Sequence, residues 1–170
     1  MRVNKIILLG ALITVGAIVL KRIRSSIPKG AIAIKSFDVE KYMGHWYEIA
    51  RMGYYFERNV KHATADYSLN KDGTITVINR GYDIKKHRFR ECLGKAKFIG
   101  NSEEGRLPFY SAYNIIAVDE NYKYALVAGH NHNFLWLLSR EVLIPTDIKQ
   151  NYLAIAKEMG FNTDKLIYTA

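Results

Sequence analysis

The stretch Gly44-His45-Trp46-Tyr47-Glu48-Ile49-Ala50-Arg51 constrains this chain more than any other. A glycine can turn tightly into a strand, and the run behind it alternates. Period two puts Trp46, Glu48 and Ala50 on one face, and Tyr47, Ile49 and Arg51 on the other. The rhythm continues downstream: Ala63, Ala65, Tyr67 and Leu69 alternate with Thr64, Asp66 and Ser68. Asn70-Lys71-Asp72-Gly73 then turns the chain into residues 74–82, the Asp-Gly pair supplying the positive φ that a hairpin needs. These features predict an all-β domain.

A second hairpin follows, with residues 82–87 as its loop and 88–99 as a long strand in which Gly94 marks a kink. Residues 112–118 read as another strand, ending in a turn at Asp119-Glu120-Asn121. Tyr124-Ala125-Leu126-Val127-Ala128-Gly129 leads through the polar loop His130-Asn131-His132-Asn133 into Leu135-Trp136-Leu137-Leu138-Ser139-Arg140. Thr146 is expected to cap a helix whose residues Ile148, Tyr152, Ile155 and Met159 share a face and which Gly160 ends. That face is expected to pack on the outside of the sheet. Residues 166–168 would form a short strand beside the first.

The Gly44-x-Trp46-Tyr47 start, the 124–129 run and the Leu135–Arg140 segment occur in order, and through them the chain resembles the lipocalins. Within that family it is similar to the bacterial outer-membrane lipocalins and to apolipoprotein D, over residues 36–170. The resemblance implies an eight-stranded antiparallel up-and-down barrel with one C-terminal α-helix. It also implies that residues 37–43 form a short helical turn plugging one end, where Trp46 and Arg140 meet with the guanidinium over the indole, Gly44 being the third family residue. Those three residues are a structural signature. Relatives usually carry a further apolar run before the segment matching Pro108-Phe109-Tyr110, and here that run is missing. The fifth strand is therefore shortened or lost: either residues 106–111 serve as a stunted strand, with Pro108 demoting it, or the barrel is open there.

A barrel of this size has room inside for one small ligand. If Arg140 points inward, period two points Leu138 and Trp136 inward as well, with Trp136 nearer the open end. The corresponding tryptophan is a ligand contact in apolipoprotein D. Ala65, Tyr67 and Val77, with Ala63, Leu69 and Ile75, form the apolar set on the next strands, and Glu48 is the main charge among the candidate ligand contacts. Tyr54, Tyr55 and Phe56 are lid candidates, because Phe56-Glu57-Arg58 matches the bacterial members at a loop that stands over the mouth. The expected ligand is a small hydrophobe, a fatty acid or a lysophospholipid, stored or carried at the bacterial cell envelope. Neither catalysis nor a cofactor is expected.

The formal charge of +9 would point to nucleic acid were it spread over the chain. Residues 1–35 hold seven of the 25 basic residues and none of the 16 acidic ones, so the remainder is close to balanced. The cluster Lys85-Lys86-His87-Arg88 with Arg90 then reads as a solvated hairpin tip, and no nucleic-acid partner is expected. Residues 6–20 are apolar and flanked by Arg2, Lys5 and Lys21-Arg22-Ile23-Arg24. As a helix they would span about 22 Å, short of a hydrocarbon core of about 30 Å. Residues 1–24 are accordingly expected to be an uncleaved membrane anchor, with a removed signal peptide as the other reading, and residues 25–35 a linker. The domain would then face the periplasm. Bacterial relatives are acylated on an N-terminal cysteine, whereas the one cysteine here is Cys92, within the domain.

Other readings compete with a carrier. Cys92 invites comparison with the cavity thiol of prostaglandin D synthase, but no base or cation is identifiable beside it, and it reads as a small buried hydrophobe. His130 and His132 would share a face if extended, but without a third ligand they read as solvated loop residues and no metal site is expected. The last alternative is a membrane-tethered interaction scaffold whose barrel has collapsed and holds no ligand.

Overall fold

The computed structural model describes residues 27–53, 59–97, 106–108 and 112–169. The expected anchor at 1–24 and the lid residues Tyr54, Tyr55 and Phe56 lie outside them. Among the described residues no helix is long and apolar enough to cross a membrane. A short helix α1 (Val39–Tyr42) precedes the strands β1 (Gly44–Met52), β2 (Val60–Leu69), β3 (Thr74–Asp83) and β4 (Arg88–Lys97). Strands β5 (Arg106–Pro108), β6 (Ala112–Val118), β7 (Tyr124–Ala128) and β8 (Leu135–Ser139) follow, and then helix α2 (Thr146–Glu158) and β9 (Ile167–Tyr168).

All described pairings are antiparallel, in the order β4-β3-β2-β1-β8-β7-β6-β5, with β9 added to β1. This is the up-and-down order expected. Gly73 takes φ +74° in the first hairpin, where Asp72 accepts from the Thr74 N–H at 3.0 Å. The β3–β4 ladder passes Gly94 without a register shift, so the glycine does not interrupt it. The fifth strand is three residues long among the described residues, pairing with β6 from Arg106↔Asn114 to Pro108↔Ala112. Among the described residues β4 and β5 form no ladder, and the sheet stays unclosed there.

Two apolar layers follow from period two. The inner one gathers Trp46, Ala65, Tyr67, Ile75, Val77, Ile115, Val127 and Leu138 with Phe37 and Tyr42 of the plug. The outer one packs Ile49, Ala50, Met52, Leu126, Leu135 and Leu137 against Tyr152 and Ala156 of α2. Ile148, Ile155 and Met159 join this layer, so the helix covers the outside of β1, β8 and β7. Irregular backbone over 27–35 lies on the barrel as well, with Ala31 buried and the Ile34 N–H donating to Ile115 O at 3.0 Å.

Three expectations are corrected. The register of β1 on β8 shifts between Glu48↔Leu138 and Ala50↔Leu137, a bulge that inserts one residue and reverses the phase. Beyond it Ala50 faces the helix and Arg51, opposite the inward Trp136, faces the interior. The helix starts at Thr146, with Pro145 as the cap position and no side-chain capping bond, so Thr146 is not the cap. Proline suits that place because its fixed φ needs no N–H there. Leu69, assigned to the inner set, is 41% exposed because it sits at the hairpin end beyond the packed layer.

Past Tyr47↔Thr64 the strands β1 and β2 part, with a register shift near His62, whose φ is +50°. The C-terminal segment fills the opening. The Thr169 N–H donates to Ile49 O at 3.1 Å, and Thr169 O accepts from the His62 N–H at 2.9 Å.

Candidate ligand-binding site

The closed end is built by α1 and the start of β1. Asp38 accepts from the N–H groups of Glu40 and Lys41, fixing the helical turn, and Gly44 at φ +95° swings the chain into the strand. A Cβ at Gly44 would lie 3.3 Å from Arg140 Nη1, so the glycine also makes room for the guanidinium. Trp46 is fully buried and donates from Nε1 to Tyr42 O at 2.8 Å. The Arg140 guanidinium lies 3.9 Å above its ring. From there it donates to the carbonyls of His45 (2.7 Å), Lys41 (2.9 Å), Tyr42 (3.1 Å), Met43 (2.8 Å) and Tyr122 (3.2 Å). One side chain thus ties α1, β1 and the β6–β7 turn together.

Above this floor three tyrosines join hydroxyls. Tyr113 Oη lies 2.7 Å from Tyr42 Oη and 2.8 Å from Tyr67 Oη. Burial pushes all three phenols above their usual range, so they are neutral and the cluster carries no charge. Trp136 continues the wall toward the open end. Its ring stacks on Tyr113 at 6.4 Å and 25°, and on Phe134 at 6.4 Å and 20°. Ala65, Tyr67, Val77 and Leu138 line the same inner layer, and Trp136 is half-buried against it.

Glu48 faces inward too, but as half of an ion pair with Arg51, which also donates to Val60 O at 2.7 Å. The bulge produces this pair. Glu48 sits before the extra residue and Arg51 after it, so both side chains reach one face. Strict alternation would have separated them. Tyr42, Tyr113 and Arg51 were not singled out in the sequence. In β6 both Ile115 and Ile116 are apolar, so alternation there does not say whether Tyr113 or Asn114 points inward. The structure turns Asn114 outward, where Nδ2 donates to Gly129 O at 3.1 Å.

Cys92 is exposed, not buried. It lies on β4, whose residues 88–93 are all exposed because no strand pairs with the far edge among the described residues. The two histidines are half-buried rather than solvated, and they do not act together. His132 Nε2 lies 3.0 Å from Met159 O, with its ring edge-on to Phe161, while His130 packs on Phe134 at 4.9 Å. Among the described residues no three metal-ligating side chains cluster.

A cup-shaped antiparallel barrel with a plugged floor and an aromatic, largely uncharged wall defines a binding protein for small molecules as a class. The chain belongs to the lipocalin family: a lipocalin-like domain matches residues 37–170. It is 44% identical over 147 residues to the outer membrane lipoprotein Blc of Citrobacter freundii, covering 83% of each chain. It is 31% identical over 150 residues to mouse apolipoprotein D, covering 79% of this chain and 77% of that one. Among solved structures the cockroach allergen Per a 4 has the same fold, with a TM-score of 0.67 at 21% identity over 81% of this chain and 90% of the other.

Proposed function

We propose that this chain is a non-catalytic carrier that holds one elongated hydrophobe, a fatty acid or a lysophospholipid, inside the barrel. The observation that carries the reading is the continuous inner wall of Trp136, Tyr113 and Tyr67 above a sealed floor, beside which Glu48 and Arg51 neutralise each other. Such a lining favours an acyl chain, with a few polar groups to orient it. Trp136, Leu138, Tyr67, Ala65, Val77 and Glu48 are the proposed contacts, and Tyr54, Tyr55 and Phe56 the proposed lid. The name of the Citrobacter relative places that protein in the outer membrane. We extend a bacterial envelope location to this chain, with the apolar run at residues 6–20 as its anchor in place of an acylated cysteine.

Native mass spectrometry of residues 27–170 purified without detergent, with organic extraction, tests the reading. A stoichiometric fatty acid or lysophospholipid that is lost in Trp136→Ala supports it. An empty barrel that also refuses added oleate and lysophospholipid overturns it. That result favours a second reading, a tethered scaffold without ligand, which rests on the three-residue β5 and on the lack of a β4–β5 ladder among the described residues.

A further inference from the structure

Residues 84–90, Ile-Lys-Lys-His-Arg-Phe-Arg, hold four cations and no carboxylate. They form the β3–β4 turn and the first residues of β4. The turn is held from beneath by Asp83, a buried residue whose carboxylate accepts from the N–H groups of Lys85 (3.1 Å) and Lys86 (3.0 Å). Its other oxygen lies 3.5 Å from Arg90 Nη1. Lys85, Lys86 and Arg88 are exposed around this support.

Large apolar side chains stand beside the cationic turn. Phe89 is 80% exposed, Leu93 69% and Ile84 44%. Phe89 and Leu93 share one face of β4, with Glu91 between them paired to Arg80 at 2.8 Å, while Arg88 and Arg90 alternate to the opposite face and Lys85 and Lys86 stand in the turn. The Phe89 ring is steadied edge-on against Tyr82 at 5.2 Å, so it is presented rather than loose. The hairpin lies at the end of the barrel opposite the Trp46–Arg140 plug, and the Ile84 N–H donates to Asn59 O at 2.9 Å, beside the β1–β2 connection.

Cations alone would suit any polyanion, and apolar groups alone any protein groove. Their meeting at one hairpin tip suits an anionic bilayer, where Lys85 and Lys86 meet phosphates while Phe89, Leu93 and Ile84 enter the boundary between headgroups and acyl chains. We propose that the β3–β4 hairpin is a membrane-docking element that seats the open end of the barrel on an anionic lipid surface. The idea does not depend on which ligand the barrel holds. It assigns the basic cluster a role beyond that of a solvated tip.

The test uses the full chain with Cys92→Ser and either Phe89→Cys or Leu93→Cys, labelled with the environment-sensitive dye NBD. The label reports the hairpin itself, whether or not the N-terminal segment already holds the chain on the vesicle. With phosphatidylglycerol mixed into phosphatidylcholine vesicles, NBD emission should shift to the blue, rise several-fold and be quenched by nitroxide-labelled acyl chains. Lys85→Glu with Lys86→Glu should abolish the response while leaving the far-UV circular dichroism unchanged. Emission that stays water-like on anionic vesicles overturns the proposal, and so does an equal response on phosphatidylcholine alone. A blue shift without vesicles that grows with protein concentration also overturns it, because the patch is then an interface between copies. None of these outcomes alters the mass-spectrometric test of the carrier.

Discussion

β1 and β4 are both long strands next to hairpins, yet nearly everything on β1 beyond His45 is at least half-buried, whereas residues 88–93 of β4 are exposed on both faces. The difference lies in what each strand meets. β1 has β2 and β9 on one edge and β8 on the other, the plug beneath, and α2 behind β8 and β7. β4 has β3 on one edge, and among the described residues nothing paired on the other. Strand pattern therefore fixes the local conformation, while burial is decided by neighbours distant in sequence.

The largest effect should come from the buried side. Trp46→Ala removes a fully buried ring from between Tyr42 and Arg140 and should cost about 3–5 kcal/mol, read by urea unfolding. A cost below about 1 kcal/mol would mean that the plug is not the stable end, and the contrast between the two sides would fail.

Next comes the ion pair made by the bulge. Arg51 is almost fully buried, and Glu48→Ala removes the carboxylate that neutralises it, at an expected cost of about 3 kcal/mol. Replacing both residues with Met should recover most of that loss, because it removes the buried guanidinium together with its carboxylate. If the double replacement is no better than the single one, Arg51 does not depend on Glu48.

This pair also marks where sequence reading stops. The strand order and the inward set Ala65, Tyr67 and Val77 were legible from runs of period two and turn signals and the outer helix from its helical spacing, whereas the plug and the inward phase of Leu138 and Trp136 came from the family resemblance. Arg51 was not legible, since one inserted residue reverses every later side chain and leaves no mark in composition. Tyr113 was hidden by the adjacent Ile115 and Ile116. Cys92 was read as buried from its residue type alone, without carrying the shortened fifth strand through to the edge of β4.

A smaller effect, confined to high pH, belongs to the tyrosine cluster. Burial raises the phenol pKa of Tyr42, Tyr67 and Tyr113 above the unfolded value of about 10. The folded state then holds protons that the unfolded state releases, so this contribution is complete below pH ~10 and is lost as the pH rises toward the folded values. Tyrosinate absorbance at 295 nm should show that a fraction of the twelve tyrosines ionises only as the β-sheet circular dichroism disappears. Complete ionisation near pH 10 with the sheet intact would show that water reaches the cluster and that the floor is not sealed.

The smallest effect is expected on the exposed side, where a null result is informative. Phe89→Ser and Leu93→Ser alter large apolar groups that already face solvent, so each should change unfolding stability by no more than about 0.5 kcal/mol. A polar group at either place loses almost no packing, apart from the edge contact of Phe89 with Tyr82. A loss of about 2 kcal/mol would mean that these side chains are covered in solution, by closure of the β4 edge or by another copy, and the two flanks would not differ as described. Unchanged stability would leave Phe89 and Leu93 apolar and exposed with no part in holding the barrel together, as a surface kept for a partner requires.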